Sequence, residues 1–236
     1  MAGRIAYYGG IVTNGLVLDL DAAKKDSYPG TGTSWLDISG NSNNGTLTNG
    51  PTFNSNNGGA IVFDGVDDYV NCGTSNITPN SYTVGCFVQI SRLTGTNTFV
   101  AKTETINQYS QNFALGYAQS LGNKFYIGAK LTNGSYFYSC VSSFTPSINT
   151  IYNVYATYNS TTFTYKLYIN GILDNTQIAS FGNVIFPTQM IQIGASDATA
   201  ANLLQGSIYT TQIYNRELSS TEILQNYNAL KGRYGL

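Results

Sequence analysis

The fold is decided by one stretch of the chain, Ala60-Ile61-Val62-Phe63-Asp64-Gly65-Val66-Asp67-Asp68-Tyr69-Val70-Asn71-Cys72. It holds two short runs of apolar and aromatic residues, 60–64 and 68–72, on either side of a turn at Gly65. Runs of this length, bounded by Gly and Asp, are typical of strands joined by a tight turn. The stretch therefore predicts neighbouring β-strands.

Similar runs continue on both sides of this stretch. They lie at 15–20, 81–90, 124–130, 135–141, 152–158 and 163–169. Asn133-Gly134 and Asn170-Gly171 fall between such runs, and this residue pair suits the type I′ turn of a β-hairpin. Many short strands separated by such turns predict an all-β fold, a two-sheet antiparallel jelly-roll sandwich.

One segment near the end predicts a short C-terminal α-helix. Ser219 and Glu222 have the spacing of a capping box. The apolar residues that follow at helical spacing are Ile223, Leu224, Tyr227 and Leu230. Residues 1–13 show no such periodicity, so we expect an N-terminal arm at 1–13 and one domain at 14–236.

Composition excludes several classes of function. The 236 residues include 11 Lys+Arg and 12 Asp+Glu, so there is no excess positive charge to bind nucleic acid. The absence of histidine removes the usual Ser-His-Asp triad and the common zinc sites. The three cysteines, Cys72, Cys86 and Cys140, match no metal or redox motif. They are interpreted as small strand residues, with one disulfide and one free thiol as the alternative.

The N-terminal residues make a poor signal peptide, because they lack an adequate apolar run. No stretch approaches the roughly 20 apolar residues that a membrane-spanning helix requires. We therefore expect a soluble protein that is made in a cytoplasm and does not insert into a membrane.

The chain resembles the concanavalin A-like lectin/glucanase superfamily, in its laminin G-like (pentraxin-related) branch, over residues 15–231. The pieces that carry the resemblance are 15–22, Trp35 to Asn41, 45–47, 63–70, 167–171, 193–194, 206–208 and 213–219. It implies a two-sheet jelly roll whose concave face or rim loops bind glycans, sometimes with calcium. The residues of these motifs also resemble those in domains of tailed-phage virion proteins that decorate capsids or form fibres.

Catalysis is not supported by the acidic residues. The glucanases of this superfamily carry Glu-x-Asp-x-x-Glu on one strand, and the chain has no such pattern. Asp64, Asp67 and Asp68 are interpreted as turn residues, with calcium binding as the alternative. Asp19 and Asp21 share one side of a strand, where backbone bonding is favoured over an acid–base pair. We therefore expect no enzyme.

A loop rich in amides is the candidate calcium site. It offers Asp37, Asn41, Asn43 and Asn44, and oxygen ligands of this kind suit calcium. The alternative is an Asx-rich turn stabilised by its own backbone.

Aromatic residues are the candidate glycan contacts, because a pyranose ring stacks on an aromatic side chain. The candidates are Trp35, Tyr109, Tyr117, Tyr126, Tyr136 and Tyr138. For Trp35, packing inside the fold is favoured over stacking on a sugar.

The sequence thus predicts a non-enzymatic phage virion structural protein, a capsid decoration or fibre subunit assembled in the host cytoplasm. Its expected partners are other virion proteins, identical subunits and surface glycans, since an uncharged surface rich in Thr, Ser, Asn and Tyr forms adhesive interfaces. The alternative is a free-standing microbial lectin or adhesin. A polysaccharide-cleaving enzyme ranks third.

Overall fold

The structure, a computed structural model, describes residues 9–74, 80–103, 111–130, 136–180, 182, 190–196 and 202–236. The first strands are β1 (Leu16–Asp21), β2 (Ser34–Trp35), β3 (Gly45–Thr48), β4 (Thr52–Asn54), β5 (Ala60–Asp64), β6 (Tyr69–Thr74), β7 (Tyr82–Ile90) and β8 (Thr96–Thr103). They are followed by β9 (Gln111–Ala118), β10 (Lys124–Lys130), β11 (Tyr136–Val141), β12 (Ile151–Asn159), β13 (Thr164–Ile169), β14 (Ile172–Ile178), β15 (Met190–Ile193) and β16 (Gln205–Tyr214). One α-helix, α1 (Ser220–Leu230), comes last.

The strands form two antiparallel sheets that pack face to face. Sheet A has the order β14-β13-β12-β7-β16-β5-β4, and β1 also pairs with β16. Sheet B has the order β11-β10-β9-β8-β15-β6-β3-β2. The predicted two-sheet sandwich with a short C-terminal helix is confirmed.

The hairpin between β13 and β14 shows why the turn residues matter. Asn170 and Gly171 both have positive φ, 52° and 78°, which is the conformation that a type I′ turn requires. The predicted turn at Asn170-Gly171 is therefore confirmed, whereas Asn133-Gly134 lies outside the described residues.

The main core lies between the sheets, where every second strand residue points inward. In β7, Val84, Cys86 and Val88 face the core. The three cysteines are buried and unpaired, as small core residues. Burial raises the pKa of the Cys72 and Cys140 thiols to about 12, so both stay protonated at neutral pH.

The outer face of sheet A is covered by α1. The capping box begins the helix as predicted, since the Glu222 backbone N–H donates to the Ser219 side chain and the Ser219 backbone N–H donates to Glu222. Ile223 and Leu230 are buried against the sheet, but Leu224 is 42% exposed and lies off the buried face. None of the helices in the described residues is both long and apolar enough to span a membrane.

The end of the predicted N-terminal arm is bound to the same helix. The backbone N–H of Val12 donates to Asn226 Oδ1 at 2.8 Å, and its carbonyl accepts from the Tyr214 hydroxyl at 3.0 Å. Asn226 Nδ2 donates in turn to the Tyr214 oxygen, and Gln225 Nε2 donates to Gly10 O. The chain's own helix therefore holds residues 10–12, while residues 1–8 lie outside the described part.

We expect Asn226→Ala to lower the free energy of unfolding by about 2 kcal/mol, because it leaves the buried N–H of Val12 without an acceptor. Chemical denaturation measures this change, and hydrogen exchange at Val12 should accelerate. The matched control, Asn228→Ala on the same helix, should change stability by less than about 0.5 kcal/mol. Equal effects of the two substitutions would contradict this account of the arm.

Candidate functional site

The outer face of sheet B is the large sheet face that α1 does not cover. Strand alternation identifies its residues: Ile191 and Ile193 of β15 lie in the core, so Gln192 between them points outward. Leu47 and Val70 likewise face the core, so their strand neighbours Thr46 and Asn71 point outward.

One row of directly paired residues crosses all eight strands of this face. From β2 to β11 it runs Ser34, Thr46, Asn71, Gln192, Ala101, Ala114, Gly128 and Tyr138. Neighbouring strands lie about 4.8 Å apart, so Thr46 and Gln192 are about 10 Å from each other. The row contains hydroxyl, amide and small residues and neither a carboxylate nor a cationic side chain.

The β2–β3–β6 end of the row is open to solvent. Ser34 and Thr46 are exposed, and Asn71 is half-buried. Tyr69, two residues before Asn71 and paired with Thr48, presents a half-buried aromatic ring on the same face. This open end combines an aromatic ring, an amide and hydroxyl groups, the groups that orient a sugar.

Gln192 of β15 is paired with Asn71 and is the next residue of the row beyond the open end. Its side chain is 0% exposed, and neither Oε1 nor Nε2 has a hydrogen-bond partner. An amide in this state has one acceptor and two donor hydrogens to offer.

The opposite end of the row is filled by tyrosines. Tyr126 lies against Gly116, where an added Cβ would come within 3.1 Å of its ring. The ring of Tyr138 packs edge-on to it, with centroids 4.9 Å apart. Burial raises the pKa of the Tyr126 hydroxyl above its usual range.

The predicted glycan contacts fall into three groups. Tyr126 and Tyr138 lie on the outer face, but only Tyr138 is partly exposed. Trp35 and Tyr117 have no exposed surface and belong to the core between the sheets, so neither candidate is a glycan contact. For Trp35 this is the packing interpretation that the sequence favoured, and for Tyr117 it is a correction. By register Tyr136 of β11 pairs with Lys130 of β10, and Tyr109 lies outside the described residues.

Four residues of the open end, Thr46, Tyr69, Asn71 and Gln192, were not among the predicted contacts. Alternation within 45–48, 68–72 and 190–193 could have placed each of them on the side of its strand away from the core. Their proximity to one another follows from the strand order β3–β6–β15, which joins segments more than 100 residues apart.

The predicted calcium loop is held by its own hydrogen bonds. Asp37 Oδ1 accepts from the backbone N–H groups of Asp19 and Ser39, and Oδ2 accepts from the Asn43 N–H and the Ser39 hydroxyl. Asn44 Oδ1 accepts from the Asp37 N–H. These bonds correspond to the Asx-turn alternative.

The side-chain nitrogens of the same loop tie it to β1. Asn41 Nδ2 donates to Leu16 O and Asn43 Nδ2 donates to Val17 O. The amides of Asn41 and Asn43 therefore anchor the loop to the sandwich.

A second acidic group lies at the turn between β5 and β6. One carboxylate oxygen from each of Asp64, Asp67 and Asp68 lies within 4.8 Å of the others, close enough to hold a cation together. Two of them also bond the turn: Asp68 Oδ2 accepts from the Asp64 N–H and Asp64 Oδ1 accepts from the Val66 N–H. Burial is the main cause that raises the pKa of Asp68, and the neighbouring carboxylates raise it further.

Asp19 and Asp21 are both buried, and each is bonded to another side chain. Asp21 binds Arg233 Nη1 through both carboxylate oxygens at 2.8 and 2.7 Å. Asp19 accepts from Gln212 Nε2, and burial raises its pKa. The backbone or structural role favoured for these two residues is consistent with these contacts.

We expect Asp37→Ala to lower the free energy of unfolding by about 2 kcal/mol, equally in calcium and in EDTA, because its loss removes four hydrogen bonds and no metal ligand. Thermal unfolding in both buffers measures this. Asp26→Ala, an exposed carboxylate in a nearby loop, is the control. A calcium-dependent gain in Tm that the wild type shows and Asp37→Ala lacks would establish calcium in the loop.

Solved structures with a similar fold include Trypanosoma rangeli sialidase in complex with the inhibitor DANA, at 16% identity and a TM-score of 0.66 over 92% of this chain. Domain 4 of AbnA, a GH43 extracellular arabinanase from Geobacillus stearothermophilus, in complex with arabinotriose, matches at 15% identity and 0.69 over 90% of this chain. The botulinum neurotoxin serotype D binding domain matches at 19% identity and 0.66 over 92% of this chain.

The share of each solved chain that this chain covers differs among the three structures. This chain spans 33% of the sialidase chain and 52% of the toxin chain, but 98% of the arabinanase domain. At these identities the likeness shows the fold alone.

Family membership comes from the sequence itself. No curated protein matches the chain. The sequence profile of the Laminin_G_3 family, described as the concanavalin A-like lectin/glucanases superfamily, matches residues 64–224. The chain therefore belongs to the concanavalin A-like lectin/glucanases superfamily.

Proposed function

We propose that this chain is a non-enzymatic binding domain that attaches to glycans through the outer face of sheet B. The observation that carries the proposal is the open end of the uncharged row, where Tyr69, Asn71 and Thr46 reach solvent. Further along the row, Gln192, Ala101 and Ala114 have no exposed surface. An aromatic platform beside amide and hydroxyl groups provides stacking and hydrogen bonds to a sugar.

The positions of the carboxylates support a role without catalysis. A glycosidase needs two carboxyl groups on either side of the scissile bond. The described carboxylates nearest to the open end, Asp64, Asp67 and Asp68, sit together on one turn, where two of them accept backbone hydrogen bonds. The row itself offers no proton donor or acceptor of this kind.

The structural neighbours support a carbohydrate ligand. The AbnA domain, which this chain matches over 98% of its length, was solved in complex with arabinotriose. It demonstrates that a domain of this fold and size can hold an oligosaccharide.

The setting that we propose is the surface of a phage particle, with identical subunits and other virion proteins as partners. Strand β14, at the end of sheet A, exposes Ile172 (69%), Ile178 (66%) and Leu173 on a strand that carries a single charged residue, Asp174. An edge strand without lysine or proline lacks the usual features that prevent pairing with another chain. This surface supports contact with a second subunit.

We expect Tyr69→Ala and Asn71→Ala each to weaken glycan binding about 5-fold, because each removes one contact worth about 1 kcal/mol. Titration calorimetry with a ligand chosen from a glycan array measures the loss. Gln177→Ala, on the exposed edge of sheet A, should bind like the wild type. Unchanged binding by both site variants at unchanged Tm would exclude this face.

The same glycans should be recovered intact after prolonged incubation. Chromatography of the sugar products tests this expectation. If the wild type cleaves a glycan and Asp64→Asn, Asp67→Asn or Asp68→Asn abolishes the cleavage while folding is retained, the chain is a hydrolase and the proposal is wrong.

The purified chain should elute as an oligomer, and Ile172→Glu with Ile178→Glu should shift it toward the monomer, since charges on an edge strand oppose pairing. Size-exclusion chromatography with light scattering measures the mass. A wild type that is monomeric at high concentration would favour the free-standing lectin over the virion subunit.

A further inference from the structure

We propose that two copies of this chain pair edge to edge through β14, in an antiparallel arrangement with Gln177 on the two-fold axis. Sheet A of one copy then continues into sheet A of the other. This inference rests on the subunit contact in the proposed function and adds to it the symmetry, the register and the groups that form the contact.

Strand β14 differs from β2, β4 and β11, the other strands at the ends of the two sheet orders. Strands β2 and β4 have only two and three residues, and such short edges offer little to a partner strand. The last residue of β11, Val141, accepts through its carbonyl from Asn175 Nδ2 of β14. Strand β14 has seven residues, pairs only with β13 among the described strands, and carries Ile178 with 66% of its surface exposed.

The hydrogen bonds of β14 show which of its backbone groups point away from β13. Successive residues of a strand direct their N–H and C=O groups to opposite sides. The N–H of Ala179 donates to Phe163 O on the β13 side, so Gln177, two residues earlier, also bonds toward β13. Thr176 and Ile178 therefore direct their backbone groups outward.

These outward groups bond to side chains of their own strand. The N–H of Thr176 donates to Asn175 Oδ1 at 2.8 Å, and the carbonyl of Ile178 accepts from Gln177 Nε2 at 3.3 Å. Asn175 and Gln177 are both exposed, so a rotation of each side chain frees the backbone group for another strand. An edge with such groups is a template for strand addition.

A second copy fits this edge because the strand is self-complementary. With Gln177 on the axis, Thr176 of each copy lies opposite Ile178 of the other. Both residues have outward backbone groups, so each such pair can exchange its two hydrogen bonds. The two Gln177 amides face each other at the axis, where each can donate to the oxygen of the other. Pairing also covers the exposed side chain of Ile178.

Charge does not oppose this pairing. Asp174 is the single charged residue of β14, and it precedes the axis residue by one turn of strand alternation and more. Its carboxylate accepts from the N–H and the hydroxyl of Ser143 in its own chain. The formal net charge of the whole chain is -1, so two copies repel each other little.

The test is disulfide cross-linking of the full chain that carries Gln177→Cys. The residues at the axis form a non-hydrogen-bonded pair with Cα atoms about 4.5 Å apart, a distance that a disulfide spans. We expect a covalent dimer after mild oxidation, measured by non-reducing electrophoresis and intact mass. The native cysteines Cys72, Cys86 and Cys140 are buried and do not compete.

The matched control is Ile172→Cys, at an equally exposed position of the same strand. In the proposed register this position is about ten residues out of step with its own copy, which places the two about 33 Å apart. It should cross-link at least 10-fold more slowly than Gln177→Cys. Equal rates would indicate random collision and would overturn the register.

The hydrogen bonds across the axis are tested by Thr176→Pro. Proline at this position removes an outward N–H and leaves the bonds to β13 in place, so the fold is retained. We expect the dissociation constant of the dimer, measured by analytical ultracentrifugation, to rise at least 10-fold. Thr176→Ala keeps the N–H and should dimerise like the wild type.

The outcomes separate this inference from the proposed function. A dimer that Thr176→Pro does not weaken, in a variant that folds by circular dichroism, would overturn the inference and leave a subunit contact standing. A wild type that stays monomeric at high concentration would overturn both the inference and the subunit contact. Glycan binding by the same samples is a separate readout, because its face lies on sheet B.

Discussion

The alternation of side chains along antiparallel strands is the constraint on which this structure depends. In β15 it sends Ile191 and Ile193 into the core and leaves Gln192 on the outside. The same rule applied across paired strands aligns residues from eight strands in one row. Core packing and the candidate binding face are therefore two consequences of one register, and a one-residue slip in any strand would exchange them.

The two outer faces have different surroundings. On sheet A, α1 buries Asn226 against Val12 and Tyr214, and Arg233 neutralises Asp21, whose side chain is only 2% exposed. Charged and polar groups on that side are used to join the two ends of the chain to the sandwich. On sheet B the row across the face is uncharged and ends in exposed hydroxyl groups, which suits contact with an uncharged, hydrated partner.

The described acidic residues with hydrogen bonds mainly organise the backbone. Asp37 accepts four hydrogen bonds in its loop, Asp68 and Asp64 bond the β5–β6 turn, and Asp21 pairs with Arg233. Asp37, Asp64 and Asp68 thereby replace backbone partners that an irregular loop cannot provide.

Local patterns were enough to predict the Asn170-Gly171 turn, the capped helix and half of the described strands, namely β1, β5, β6, β7, β10, β11, β12 and β13, because each depends on residues close in sequence. Sequence also excluded triads and common zinc sites through the absence of histidine. The candidate face could not be predicted in this way, and Tyr117 was misplaced, since a strand pattern does not tell which side faces the second sheet. Trp35 lies in the core, in agreement with the packing interpretation that the sequence favoured. Only the tertiary structure brings Thr46, Asn71 and Gln192 together, because strand order is set by long-range packing between β3, β6 and β15.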